Sequence, residues 1–281
     1  MKKLIIVGSS GFVGKSLNEY IRNNKTTISR IYNYSRSEKK NFFKQKKIPV
    51  SDYIIYCINK NDINKSLRIF FHFKKLLKGY SKNVKIIFFS SGAVYGPRSK
   101  NIKFNEKNKI TNNYKKFNGY KRTYAKEKIV LEKEFKKISK EGYNVSIVRG
   151  FTFYGKHILK YNYLISQIVK SIKLNKKMSI ENQNVYRSYM HSDDMCKWIL
   201  KILKNASSKC DIFNIGSDKS INIKNFIKFF NKNYDAKIKI KKNLLNKTDF
   251  YVPSTSLVRK KLKLKNTINF NHAIKSLVNK I

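Results

Sequence analysis

The chain has 281 residues, enough to bury a large core, and its 41% apolar and 14% aromatic content is that of a globular protein and not of a disordered one. No apolar run approaches the ~20 residues of a membrane span, and the basic start, MKKLIIVG, turns polar and glycine-rich too soon for a secretory signal, so a cytoplasmic location is expected. Against 16 Asp and Glu stand 63 Lys and Arg, a formal charge of +47, spread along the chain without a dense block. Lys, Asn, Ile, Tyr and Phe are all abundant and all have A/T-rich codons, so a codon bias explains the charge better than nucleic-acid binding does.

The first element is the one the rest is organised around. Leu4–Val7 is a short β-branched apolar run, which predicts a buried parallel strand. Gly8, Ser9, Ser10 and Gly11 make a tight turn, and Phe12, Val13 and Gly14 open a segment with helical apolar spacing at Val13, Leu17 and Ile21. Strand, glycine turn and helix together form a phosphate cradle: glycine permits the turn and a close approach to the backbone, and the helix start supplies free N–H groups and positive potential.

The second strand is predicted at Ile28–Tyr34. Dinucleotide sites usually carry an acid at the end of this strand to hold the adenosine ribose hydroxyls. No acid lies between Thr26 and Ser35; Ser35 and Arg36 follow instead. A hydroxyl and a guanidinium suit a 2′-phosphate, so NADP is expected, with NAD as the alternative. Residues 52–58 predict the third strand, and the link before it is short for a complete adenine-side helix. Residues 63–80 have the apolar spacing of a crossover helix.

Lys85–Phe89 predicts a strand that runs into Ser-Ser-Gly-Ala-Val-Tyr-Gly at residues 90–96. Catalytic residues of open α/β sheets sit at such carboxyl ends. Tyr124 and Lys128 follow, spaced to share one face of a helix. A neighbouring ammonium is expected to stabilise the Tyr124 phenolate and lower its pKa, so that the phenol can act as acid or base. A second Tyr-x-x-x-Lys, Tyr56 with Lys60, begins in a predicted strand, where residues four apart do not meet. Val145–Arg149 predicts another strand, leading to Arg149-Gly-Phe-Thr-Phe-Tyr-Gly155. Arg187-Ser-Tyr-Met-His-Ser-Asp-Asp194 precedes a helix, with Asp193 or Asp194 expected as its N-cap. Cys57, Cys196, Cys210 and four isolated His give neither a disulfide framework nor a metal site.

These segments resemble the extended branch of the short-chain dehydrogenase/reductase superfamily, the nucleotide-sugar epimerase/dehydratase family. The resemblance implies an α/β fold: a Rossmann-type, doubly wound parallel sheet with a smaller C-terminal substrate domain. The expected division is 1–155 for NAD(P) binding, with 187–215 returning to it, and 156–186 with 216–281 for the nucleotide sugar. By resemblance the catalytic set is Ser91, Tyr124 and Lys128, with Lys128 also holding the nicotinamide ribose. The cofactor set is Gly8, Gly11, Phe12, Val13, Gly14, Ser35 and Arg36 with Tyr124 and Lys128. The substrate set is Ser91, Thr152 and Arg187, the last on the diphosphate. Glu132 matches the usual continuation of the Tyr-Lys motif. Lys126 and Glu127 depart from it, as do Gly150 and Thr152 where relatives carry Pro and Asn.

The implied substrate is a nucleoside-diphosphate sugar, in a pathway to surface polysaccharides, handled by a homodimer. Gly92 and Ala93 stand where 4,6-dehydratases of the family carry an Asp-Glu pair, which argues against dehydration. A 4-ketoreductase is expected, with a 4-epimerase as the alternative. A reading of another class is a non-catalytic dinucleotide-binding module whose basic surface engages RNA or glycan. His191 is expected to pack or to make a structural hydrogen bond.

Overall fold

The computed structural model describes residues 1–35, 41–99, 101–110, 112–180, 184–241 and 248–279. Arg36 lies outside the described residues. The chain begins with β1 (Lys2–Val7), α1 (Phe12–Asn23), β2 (Ile28–Tyr34), β3 (Tyr53–Tyr56), α2 (Ile63–Leu77) and β4 (Lys85–Ser91). It continues with α3 (Gly119–Lys140), β5 (Asn144–Gly150), β6 (Phe153–Tyr154), α4 (Leu164–Lys173), β7 (Met178–Ile180) and β8 (Val185–Arg187). The last elements are β9 (Met190–His191), α5 (Ser192–Lys204), β10 (Ile212–Ile215), β11 (Ile221–Asn222), α6 (Ile223–Tyr234), β12 (Ile238–Ile240), β13 (Asp249–Tyr251), α7 (Ser256–Leu262) and α8 (Phe270–Asn279).

Six strands form one parallel sheet in the order β10-β5-β4-β3-β1-β2. The strand period of two divides β1 between the faces. Leu4 and Ile6 pack with Leu17 and Ile21 of α1 and Trp198 and Ile202 of α5, whereas Ile5 and Val7 pack with Phe70 and Phe73 of α2 and Phe135 of α3. Both faces are therefore covered, as a sheet of apolar parallel strands requires. This is the doubly wound, Rossmann-like sheet the sequence predicts, with β10 paired to β5 at one end.

Among the described residues, β2 is the outer strand on the adenine side. From Ser35 to Ser51 the described chain has only a 3₁₀ turn at Phe42–Lys44, so the short link noted in the sequence corresponds to an abbreviated half. A three-stranded sheet, β11-β8-β13, and a two-stranded one, β12-β7, lie in the later chain. A separate apolar cluster joins α4, α6 and α8 through Ile168, Phe226, Phe230 and Ile274.

Two boundaries differ from expectation with a physical cause. β4 extends to Ser91, because Ser90 and Ser91 pair with Arg149 and Gly150 of β5. The N-cap of α5 is His191, whose Nδ1 accepts from the Asp193 N–H at 3.2 Å. Neither Asp193 nor Asp194 caps that helix; buried Asp194 instead accepts from the N–H groups of Thr267 and Ile268 and from the Thr267 hydroxyl. No helix among the described residues is long and apolar enough to cross a membrane.

Candidate active site

The carboxyl end of β1 turns through Gly8, whose φ of +107° is left-handed backbone that favours glycine. Gly8 and Ser9 donate their N–H groups to the Tyr34 carbonyl at 2.9 and 3.0 Å, which closes the turn against β2. A Cβ on Gly14 would stand 2.5 Å from the Ser9 Cα, so this glycine lets α1 pack against the turn. A Cβ on Gly11 would meet only the Gly8 carbonyl, at 3.4 Å, and otherwise faces open space. Gly11 caps α1 without a side chain, and the first turn of the helix carries no acid. The start of α1 thus fits a pyrophosphate, because Gly11 brings no capping side chain to its N–H groups and the helix start is positive. Phe12 stacks on Phe153, with ring centroids 6.5 Å apart. Burial raises the Tyr161 pKa, with the Phe12 N–H at the start of α1 opposing it. Ser35 ends β2 beside this turn, and Cys57 follows β3 with its thiol 3.4 Å from the Val7 carbonyl. Burial pushes the Cys57 thiol up to about 12.

Ser91 ends β4 two strands away. Its Oγ accepts from the Ala93 N–H at 3.2 Å and lies 3.4 Å from the Tyr251 hydroxyl, and Ser91 also acts on the Tyr124 phenol. Tyr124 is in the second turn of α3, and Lys128 follows one turn later with its ammonium 5.6 Å from the Tyr124 ring centre. The fold therefore brings Ser91, Tyr124 and Lys128 into one neighbourhood.

The electrostatics differ from expectation. Burial raises the Tyr124 pKa above the ordinary phenol value, with the Ser91 hydrogen bond opposing it. The Lys128 ammonium donates to the Ile58 carbonyl at 2.7 Å and lies 3.7 Å from Glu127 Oε1, so it is directed at the loop after β3 and not at the phenol. Burial lowers the Lys128 pKa, with Glu127 opposing. The lowered phenol expected from the sequence is thus not present in this arrangement.

Arg187 and Thr152 are the further residues expected to meet the substrate. Arg187 sits opposite Tyr251 in the β8-β13 pairing, with its guanidinium 5.8 Å from the Tyr251 ring centre. It is bound to the Asp249 carboxylate at 2.6 Å and to the Asp249 carbonyl at 2.9 Å. Thr152 offers its carbonyl to the Met190 N–H at 3.1 Å, which joins the end of β5 to β9. His191 has the structural role expected of it, capping α5 and meeting Tyr154 edge-on.

Tyr251 is the site residue that sequence reasoning missed. It packs on Phe151 at 4.7 Å between ring centres, and burial pushes its hydroxyl up to about 12. The sequence marks it only as one tyrosine among 18, and it meets Ser91 across 160 residues. Phe151 also decides what can stand beside Ser91: a Cβ on Gly92 would be 2.5 Å from its ring. A carboxylate at position 92 has no room unless Phe151 moves.

Solved structures share this fold. RMD from Pseudomonas aeruginosa, complexed with NADPH, superposes with a TM-score of 0.79 at 18% identity, covering 99% of this chain and 98% of that one. dTDP-glucose 4,6-dehydratase from Bacillus anthracis, in complex with NAD, gives 0.76 at 15% identity, covering 99% and 96%. UDP-N-acetylglucosamine 4-epimerase from Methanobrevibacter ruminantium, in complex with UDP-N-acetylmuramic acid, gives 0.76 at 17% identity, covering 99% and 97%. No curated protein sequence matches the chain. The family model whose signature runs over residues 56–216 spans more than half of the chain and takes in β4, α3 and β5, and the chain belongs to that family, the NAD dependent epimerase/dehydratase family.

Proposed function

We propose that the protein is an NAD(P)-dependent oxidoreductase of a nucleoside-diphosphate sugar, and specifically a 4-ketoreductase. The observation that carries the oxidoreductase reading is the convergence of Ser91, Tyr124 and Lys128 near the glycine turn, at the carboxyl end of one parallel sheet. When bound, the nicotinamide supplies a hydride to the sugar carbon or takes one from it. The chain's own part is proton handling and positioning. Tyr124 gives its phenolic proton to the carbonyl oxygen as it becomes a hydroxyl. Ser91 donates to the same oxygen while negative charge develops there. Lys128 holds the ribose next to the nicotinamide and so sets the ring beside the Tyr124 phenol. Arg187 receives the diphosphate once Asp249 gives up its hold, and Thr152 lines the substrate side. The smaller sheets and the cluster of α4, α6 and α8 are the region we assign to the nucleotide sugar.

Dehydration is disfavoured by the crowding of Gly92 under Phe151. NADPH is the cofactor we favour, on Ser35 and Arg36 and on the NADPH held by the RMD structure. The test is a nicotinamide-fluorescence titration of the purified protein with NADPH and NADH, with mass spectrometry of any nucleotide it retains. Preference for NADPH with no retained nucleotide supports the ketoreductase and directs the screen to 4-keto sugars. Retained NAD, with interconversion of two C4 epimers in the absence of added cofactor, would make it a 4-epimerase.

A further inference from the structure

Glu127 is fully buried beside the proposed catalytic lysine, and nothing so far has used it. It follows Lys126, which is exposed, at a point where α3 turns inward. One carboxylate oxygen, Oε2, accepts from the Asp62 N–H at 3.1 Å. The other, Oε1, has no hydrogen-bond donor and stands 3.7 Å from the Lys128 ammonium. Lys128 is 2% exposed and donates to the Ile58 carbonyl. The two adjacent side chains therefore grip the same loop at both ends, Lys128 at Ile58 and Glu127 at Asp62. That loop runs from the carboxyl end of β3 to α2, alongside the glycine turn.

A buried ammonium with a single carbonyl acceptor is expensive to keep charged, because burial removes its water and one neutral dipole replaces little of it. A carboxylate at this distance offsets that cost. A buried carboxylate with an oxygen lacking a donor is likewise expensive, and the same ammonium offsets it. Both groups are thus explained if each is the other's counter-ion. A longer contact than a direct hydrogen bond leaves the remaining ammonium protons free for a second acceptor.

We propose that Glu127 is a positioning residue for cofactor binding: its buried carboxylate is the counter-ion that keeps Lys128 charged and ready to donate to a ribose hydroxyl. The inference rests on the reading of Lys128 given above. The other groups facing Lys128 are Glu132 from α3, Cys57 from the end of β3 and the rings of Tyr124 and Phe88. Tyr56 of β3 faces Glu127. Of these, Cys57 and Tyr56 are held in their neutral forms by burial, and Glu132 is committed to Arg149. Glu127 is the carboxylate whose loss the ammonium would feel most.

The experiment is a titration with NADPH, followed by nicotinamide fluorescence, between about pH 7 and about pH 10, where the 2′-phosphate is fully ionised. In the unaltered protein the dissociation constant should stay flat from neutral pH upward until Lys128 loses its charge. Glu127→Gln keeps an oxygen for the Asp62 N–H and removes only the charge. It should move the loss of affinity at least one pH unit lower and weaken binding about tenfold at pH 9, which Glu127→Asp should largely restore. Coincident pH profiles for Glu127→Gln and the unaltered protein would overturn the inference, even if the variant melts earlier. Loss of affinity already at neutral pH in the unaltered protein would overturn it too, and needs no variant to fold. Lys128→Met tells this failure from failure of the underlying reading: if it binds NADPH as tightly as the unaltered protein, Lys128 holds no ribose and both fall.

Discussion

Two buried ion pairs lie on α3, little more than one turn apart, and they are built in opposite ways. Glu132 and Arg149 are bidentate, with Nε donating at 2.9 Å and Nη2 at 2.7 Å. The Ser90 hydroxyl adds a third donor to Glu132 at 2.6 Å, and Arg149 reaches on to the Tyr95 hydroxyl, which donates to Asn214. This network joins α3, β4, β5 and β10 at one point and leaves both charged groups well partnered. Glu127 and Lys128 meet at 3.7 Å, with one carboxylate oxygen lacking a donor. The first pair faces only the protein and closes on itself. The second borders the loop after β3 and the Tyr124 ring, and we propose that a bound ribose completes it. A buried pair satisfied by protein alone is built for rigidity, whereas an incompletely satisfied one keeps capacity for another partner.

The sharpest way to break the comparison is to remove one partner from each pair. Arg149→Met should cost about 3–5 kcal/mol, because it strands the Glu132 charge in the core. Urea denaturation would measure it, and a second change, Glu132→Leu, should recover much of the loss. Lys128→Met should cost less, about 1–3 kcal/mol, since Glu127 keeps its bond from Asp62. Equal losses at the two sites would mean that the looser pair is also structural.

Catalysis and stability should separate at Tyr124. Tyr124→Phe is expected to lower turnover of the sugar substrate by about 10²–10⁴-fold, the usual contribution of a positioned acid or base. Unfolding free energy should change by less than about 1.5 kcal/mol, since only the hydrogen bond to Ser91 is lost. Steady-state kinetics beside a denaturation curve would check both. Gly14→Ala tests the glycine turn: the added Cβ has backbone at 2.5 Å and cannot be accommodated by a side-chain rotation. It should destabilise by about 1–3 kcal/mol and weaken NADPH binding at the same time, read by melting with and without the dinucleotide. The smallest effect is expected at Tyr161. Tyr161→Phe removes the hydroxyl on which the Phe12 N–H acts and should tighten NADPH binding by no more than about fivefold, the value of one modest hydrogen bond.

Much of the site was legible because its parts obey short-range rules. The glycine turn could be read from residues 4–14, since strand, turn and helix are adjacent in the chain. Tyr124 and Lys128 could be paired because residues four apart on a helix are neighbours. Ser91 could be placed because residues 90–96 follow an apolar strand and resemble a motif of the family. Tyr251 could not be found this way: it meets Ser91 across 160 residues, as one tyrosine among 18. Asp194 was misassigned as a cap because its partners, Thr267 and Ile268, arrive from more than 70 positions away. Glu127 was visible only as a departure from a motif, and on a charged helix it reads as a solvated residue.

Periodicity and turn chemistry are local, so the amino-acid sequence by itself determined the alternation of strands and helices, the phosphate cradle and the identity of the hydroxyl, phenol and ammonium at its edge. Burial and long-range pairing are not local, and only the tertiary structure decided them. It placed Tyr251 against Ser91, tied Arg187 to Asp249, and turned Glu127 inward beside Lys128. It also reversed the expected balance at Tyr124, because the same packing that assembles the site removes the water that would have stabilised the phenolate.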